Sequence, residues 1–153
     1  MTDSTARNSP PPRRLSETRK VEHIRSDGTA ISILVSVGYA ESDPMRPVEV
    51  FYAEGFRSGA DLEFLMQDAC VLISILLQHG VPPERIAASM STREEPDGKP
   101  SPGSLAGTIA TELMVPPVWS GSKDGNDLPE WDELYPDGAI FTVHPDPSDE
   151  PDL

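Results

Sequence analysis

Between Asp61 and Gly80 nearly every position other than Glu63, Gln67, Asp68, Ser74, Gln78 and His79 is apolar, and no other stretch restricts the fold as much. Leu62, Leu65, Met66, Ala69, Leu72, Ile73, Leu76 and Leu77 recur at i, i+3 and i+4, which predicts one inward face of an amphipathic helix. Cys70, Val71 and Ile75 fall outside that stripe, so the helix is apolar around most of its middle and needs cover on more than one side. Ser58 or Asp61 is placed to cap its start, because either side chain can accept hydrogen bonds from first-turn amides. Gly80, followed by Val81-Pro82-Pro83, stops it.

Upstream the period changes from helical to alternating. Ile31, Ile33, Val35, Val37 and Tyr39 alternate with smaller or polar residues, the pattern of a half-buried strand. Val21 to Ile24 forms a shorter strand before it, and Asp27-Gly28 marks the turn between them. Val48, Val50 and Tyr52 continue on a third strand. Short connections favour an antiparallel meander. Downstream, Pro83 to Met90 predicts a short helix with Ile86 and Met90 inward, and Thr92 to Pro100 a polar loop. Ser101-Pro102 is expected to open a last helix carrying Leu105, Ile109 and Leu113. The fold class is α+β: a three-stranded antiparallel meander, a long central helix, then two shorter helices.

Both ends depart from this pattern. Residues 1–18 contain Ser9-Pro10-Pro11-Pro12 with Arg7, Arg13 and Arg14, and are expected to form a disordered basic leader. Residues 19–114 hold the domain. Residues 115–153 form an acidic, proline-rich tail that includes Trp119, Trp131 and Tyr135. Such a tail is either a disordered solvating segment or one whose aromatic anchors dock on a partner or fold back on the domain.

Charge and cysteine content exclude several function classes. A formal net charge of −14 gives no phosphate-neutralising footprint, so direct nucleic-acid binding is not expected. One cysteine, Cys70, excludes a disulfide framework and a cysteine-rich zinc site. No apolar run matches a membrane span or a signal peptide, so a cytoplasmic location is expected. His23, His79 and His144 show no metal-ligand spacing, and no cofactor is expected.

Three features carry candidate chemistry. The Gly55-Phe56-Arg57-Ser58-Gly59 turn before a helix has a candidate anion or nucleotide site in Gly55, Arg57, Ser58 and Gly59, set against a plain strand-to-helix turn that needs glycine. Cys70, between Ala69 and Val71, is expected to be a buried small hydrophobe rather than a nucleophile. Cys70, Val71, Leu72 and Ile75 form the candidate interface on the long helix, for a homodimer or another protein partner. Trp119, Trp131 and Tyr135 extend that candidate interface into the tail.

The same glycine turn, with Asp68 and the Leu77-Gln78-His79-Gly80-Val81-Pro82 helix stop, resembles the TSCPD domain family. Such domains occur as appended modules of some ribonucleotide reductases and as free-standing small proteins. The resemblance covers about Arg19 to Met114. It departs at the motif that gives the family its name: the matching stretch here is Gly103-Ser104-Leu105-Ala106-Gly107, where only the serine remains. The resemblance implies a non-catalytic accessory or regulatory binding domain connected with deoxyribonucleotide synthesis, with a ribonucleotide reductase as candidate partner. It does not imply reductase activity, because that reaction needs three thiols and this chain has one. A nucleotide- or phosphate-binding module and an acidic-tail interaction protein stand as alternatives.

Overall fold

A computed structural model describes residues 6–12 and 14–121. Three strands, β1 (Ser16–Ile24), β2 (Ala30–Tyr39) and β3 (Pro47–Glu54), form an antiparallel sheet in sequential order. The Asp27-Gly28 turn is present. Gly28 adopts φ +86°, and the Asp27 carboxylate accepts from the Thr29 amide at 2.9 Å. Opposite residues fall in register on two faces. One face buries Val21, His23, Ile33, Val35, Val37, Tyr39 and Val50; the other leaves Thr18, Lys20, Glu22, Ser32 and Phe51 exposed.

Helix α1 (Asp61–Gln78) lies along the free edge of β3. An edge strand presents unpaired amides and carbonyls, which are costly to bury unsatisfied. Here helix side chains take the place of a fourth strand. Ser74 Oγ accepts from the Val50 amide at 2.9 Å and lies 3.0 Å from the Val50 carbonyl oxygen. Gln78 Nε2 donates to the Val48 carbonyl at 3.1 Å. Cys70 hydrogen-bonds the Tyr52 backbone. Four helical residues rise about 6 Å and two strand residues about 6.6 Å, so Gln78, Ser74 and Cys70 track Val48, Val50 and Tyr52.

This edge contact corrects the expected inward stripe. Met66, Cys70, Ile73, Ser74, Leu77 and Gln78 are buried, whereas Leu62, Leu65, Leu72 and Leu76 are exposed. The strand edge needs polar side chains, and that need rotates the helix away from its most apolar side. The N-cap is also corrected. Ala60 occupies it without a side-chain bond, and neither Ser58 nor Asp61 caps the helix. The C-terminus ends as expected, with Gly80 at φ +84°. The Val81 amide donates to Leu76 O at 3.1 Å and the Gly80 amide to Leu77 O at 3.0 Å, a Schellman closure.

Helix α2 (Pro83–Ser89) follows, with Ile86 buried and Met90 half-buried. The expected polar loop is instead a small hairpin, β4 (Thr92–Glu94) and β5 (Pro100–Pro102), closed by Gly98 at φ +79°. Ser101 therefore sits on a strand. Ser104 caps α3 (Leu105–Glu112), its Oγ accepting from the Gly107 amide at 3.1 Å. Helix α3 lies against β1. Arg19 donates to the Glu112 carbonyl at 2.7 Å and the Val115 carbonyl at 2.9 Å, supplying partners to the helix's last carbonyls. The same guanidinium reaches Tyr39 Oη at 2.7 Å and pairs with Glu17.

Described residues N-terminal to Arg19 make contacts with the sheet and α1. Residues 16–18 already belong to β1. Arg14 pairs with Glu49, which is buried and lies over Gly38, where a Cβ would sit 2.5 Å from Glu49 Oε1. The Tyr39 amide donates to Leu15 O at 2.9 Å, and the Asn8 amide to Gln78 O at 3.0 Å. Arg7 Nε donates to Gln78 Oε1 at 2.5 Å. Residues 118–153 form a second unit, of which the short 3₁₀ helix Val118–Gly121, carrying Trp119, lies within the described residues.

Two stability predictions follow from these contacts. Ser74→Ala leaves the Val50 amide and carbonyl without partners and should cost about 1–3 kcal/mol in urea unfolding, with an unchanged m-value. Deleting residues 1–14 strands the Glu49 carboxylate and should lower the melting temperature by several degrees, on the order of 1–3 kcal/mol. A disordered leader would leave the melting temperature unmoved.

Candidate functional site

The Gly55–Gly59 turn brings its four candidate residues together, and the Phe56 and Gly59 amides and the Arg57 carbonyl already have partners within the chain. Gly55, at φ +140°, backs directly onto β2, where a Cβ would lie 2.8 Å from Ile33 Cα. The Gly59 amide donates to Glu63 Oε2 at 2.6 Å, the Phe56 amide to Tyr52 Oη at 2.6 Å, and the Ala60 amide to Arg57 O at 3.0 Å. Asp61 and Glu63 place two carboxylates in the first turn of α1, where an anion would have to approach. Arg57 and Ser58 are exposed.

Cys70 is buried to 1% exposure beneath the β3 edge. Burial pushes its thiol up to about 11, partly opposed by the hydrogen bond to the Tyr52 backbone. It is turned away from the outer face of the helix and so stands apart from Val71, Leu72 and Ile75. Val71 and Leu72 are exposed and Ile75 is half-buried. The residues beside them are those expected inward: Leu62, Leu65 and Leu76, together with Phe64. Leu72 is 63% exposed and Leu65 58%. Together these side chains leave the outer side of α1 apolar and solvated. Asp68 is exposed on this same face, needing no buried partner. Of the tail candidates, Trp119 lies on the 3₁₀ helix, and Trp131 and Tyr135 fall outside the described residues.

The loop after β2, the end of α1 and the end of α3 enclose a groove of about 330 Å³. Met45, Arg46, Val81, Met114 and Val115 line it. Sequence reasoning did not reach this groove, because its walls come from segments far apart along the chain. Asp43-Pro44 and Val115-Pro116 offered turn signals, and those signals carry no information about which turns meet in space.

At the start of α3, Leu105 is buried and apolar. Gly107 sits close to Met90, Pro102 and Ser104, each within 3.3–3.4 Å of where a Cβ would stand. His23 lies nearby, its Nδ1 2.9 Å from Thr108 Oγ1. Desolvation, then Arg93 and Arg25, hold its imidazole below the usual value. Thr108 Oγ1 donates to Ser104 O at 3.2 Å, so the His23 Nδ1–H donates to the threonine. His79 takes the C-cap of α1. Among the described residues no group of three or more His, Cys, Asp or Glu is placed to hold a metal, and no helix is long and apolar enough to cross a membrane.

The Cys70 environment yields a pH-dependent prediction. The thiol titrates higher in the folded chain than unfolded, so its contribution to stability is full below about pH 9 and falls as pH rises toward about 11. At neutral pH a thiol reagent should label Cys70 only at the rate of unfolding. Fast labelling of folded protein would refute its burial.

No curated protein and no solved structure matches the chain. One family model does, the TSCPD domain, over residues 5–114. That span takes in the leader through Arg14, beyond the Arg19 boundary expected from the motifs, and it coincides with the stretch in which Arg7, Asn8 and Arg14 bind α1 and Glu49. With most of its length matched by that model and the sheet-and-helix body continuous through the match, the chain belongs to the TSCPD domain family.

Proposed function

We propose that the chain is a non-catalytic accessory or regulatory domain that works by docking on another protein, with a ribonucleotide reductase as the partner class. The observation that carries this reading is the outer face of α1, where Leu62, Phe64, Leu65, Val71, Leu72 and Leu76 stand exposed on a well-formed helix. Apolar side chains on a helix already anchored by its opposite face gain free energy only when a further surface covers them. The association of TSCPD modules with ribonucleotide reductases supplies the partner class. The single thiol, buried and protonated at neutral pH, supports an accessory role, since ribonucleotide reduction draws on three.

The nucleotide-binding reading finds less support, because Glu63 already takes the Gly59 amide. The tail reading is separable by truncation after Gly121, which retains Arg19's bond to the Val115 carbonyl.

The test is direct binding of the purified full chain to a ribonucleotide reductase by calorimetry, with reductase turnover followed in parallel. Leu72→Glu should weaken binding at least about tenfold, since a charge would be desolvated at the contact, while leaving the melting temperature nearly unchanged. Truncation after Gly121 should leave binding intact. Turnover of a ribonucleotide by the chain alone, or unaltered binding by the Leu72 variant, would overturn the proposal.

A further inference from the structure

We infer that the outer face of α1 takes a second copy of this chain, packed antiparallel about a two-fold axis at Ala69. This rests on reading that face as a docking surface: the second copy covers it in the free chain, and a reductase would compete for the same face.

The apolar positions outside the core form two stripes. Phe64 and Val71, exposed, and Ile75, half-buried, lie on one side of Asp68; exposed Leu62, Leu65, Leu72 and Leu76, with half-buried Ala69 between them, lie on the other. The second stripe is spaced three, four, three and four residues apart, one continuous face of the helix of the kind a helix–helix seam uses. Its composition is also symmetric: Leu, Leu, Ala, Leu, Leu reads the same in both directions about Ala69. In an isologous contact residue i meets j and j meets i, and this order pairs like with like across the axis. In the antiparallel arrangement Leu62 faces Leu76 of the second copy, Leu65 faces Leu72, and Ala69 faces itself. The small central side chain lets the backbones approach, and the larger leucines fill the diverging ends. A partner of unrelated sequence places no such demand on the order of residues.

Charge agrees with the same orientation. Asp61 and His79 share one flank of the seam at opposite ends of the helix. Antiparallel packing brings Asp61 beside His79 of the second copy, where an imidazole N–H can donate to the carboxylate. The two helix dipoles also oppose each other favourably. Parallel packing would put the two copies of this flank on opposite sides of the seam and make no such pair. Asp68 is the one unfavourable group, since the two-fold places both copies on the same flank; it is exposed, so solvent and salt screen the repulsion.

The seam runs about 21 Å from Leu62 to Leu76, and this length makes the orientation measurable. Ala69→Cys in the full chain should cross-link to its own mate with a short bismaleimide, giving a dimer on a denaturing gel. Leu62→Cys alone should not cross-link, and Leu62→Cys with Leu76→Cys should. The wild-type chain, whose Cys70 is buried, is the background control. Analytical ultracentrifugation should show a dimer for the wild type and a monomer for Leu65→Glu, with matching circular dichroism spectra. A wild-type monomer at high micromolar concentration with no Ala69→Cys product would overturn the second-copy inference. The reductase-docking proposal would then still stand or fall on the Leu72→Glu binding result. Efficient cross-linking of Leu62→Cys alone would overturn the antiparallel geometry.

Discussion

The contact on which this structure depends is the line of hydrogen bonds between α1 and the open edge of β3. A three-stranded sheet has two free edges, and each exposes backbone groups that water or protein must satisfy. At β3 the Val48 carbonyl and the Val50 amide and carbonyl are met by Gln78 and Ser74. The match arises because two strand residues and one turn of helix advance by nearly the same length. Once those side chains are committed to the edge, the rotation of the helix about its axis is set. Met66, Ile73 and Leu77 then enter the core, and the remaining apolar positions face outward.

That rotation joins fold and function. A helix of mixed composition gives up only polar residues to solvent when it turns in this way. Here the positions turned outward are largely leucine, so satisfying the sheet edge leaves a broad apolar surface exposed. The leader adds a second constraint on the same helix, since Arg7 and Asn8 hold Gln78 from its far side. Gln78 thus links the strand edge, the end of α1 and the N-terminal segment. The family model spans all three, in keeping with the leader's place in the domain.

Polar groups inside the body are paired rather than reactive. Glu49 meets Arg14, Arg19 joins Glu17 and Tyr39 to the end of α3, and His23 donates to Thr108. Burial raises the Tyr39 hydroxyl far above its usual range. Each such group ties one element to another. Leu105, at the start of α3, packs inward and adds to the core.

Local periodicity and turn chemistry made much of this legible in the residues alone. Alternation identified β2, Asp27-Gly28 its turn, and Gly80 the end of α1, because each signal acts over a few residues through backbone conformation. The hairpin of β4 and β5 carried an equivalent signal in Asp97-Gly98, but its strands are too short and proline-bordered for alternation to register. Periodicity could identify α1 as too apolar for one buried face without identifying that face. The choice rested on the hydrogen-bonding demand of β3, which no local pattern encodes. The burial of Glu49, the docking of the leader and the groove near Met114 were decided in the same way. Each depends on groups distant in sequence whose desolvation is tolerable only once the tertiary structure brings their partners into place.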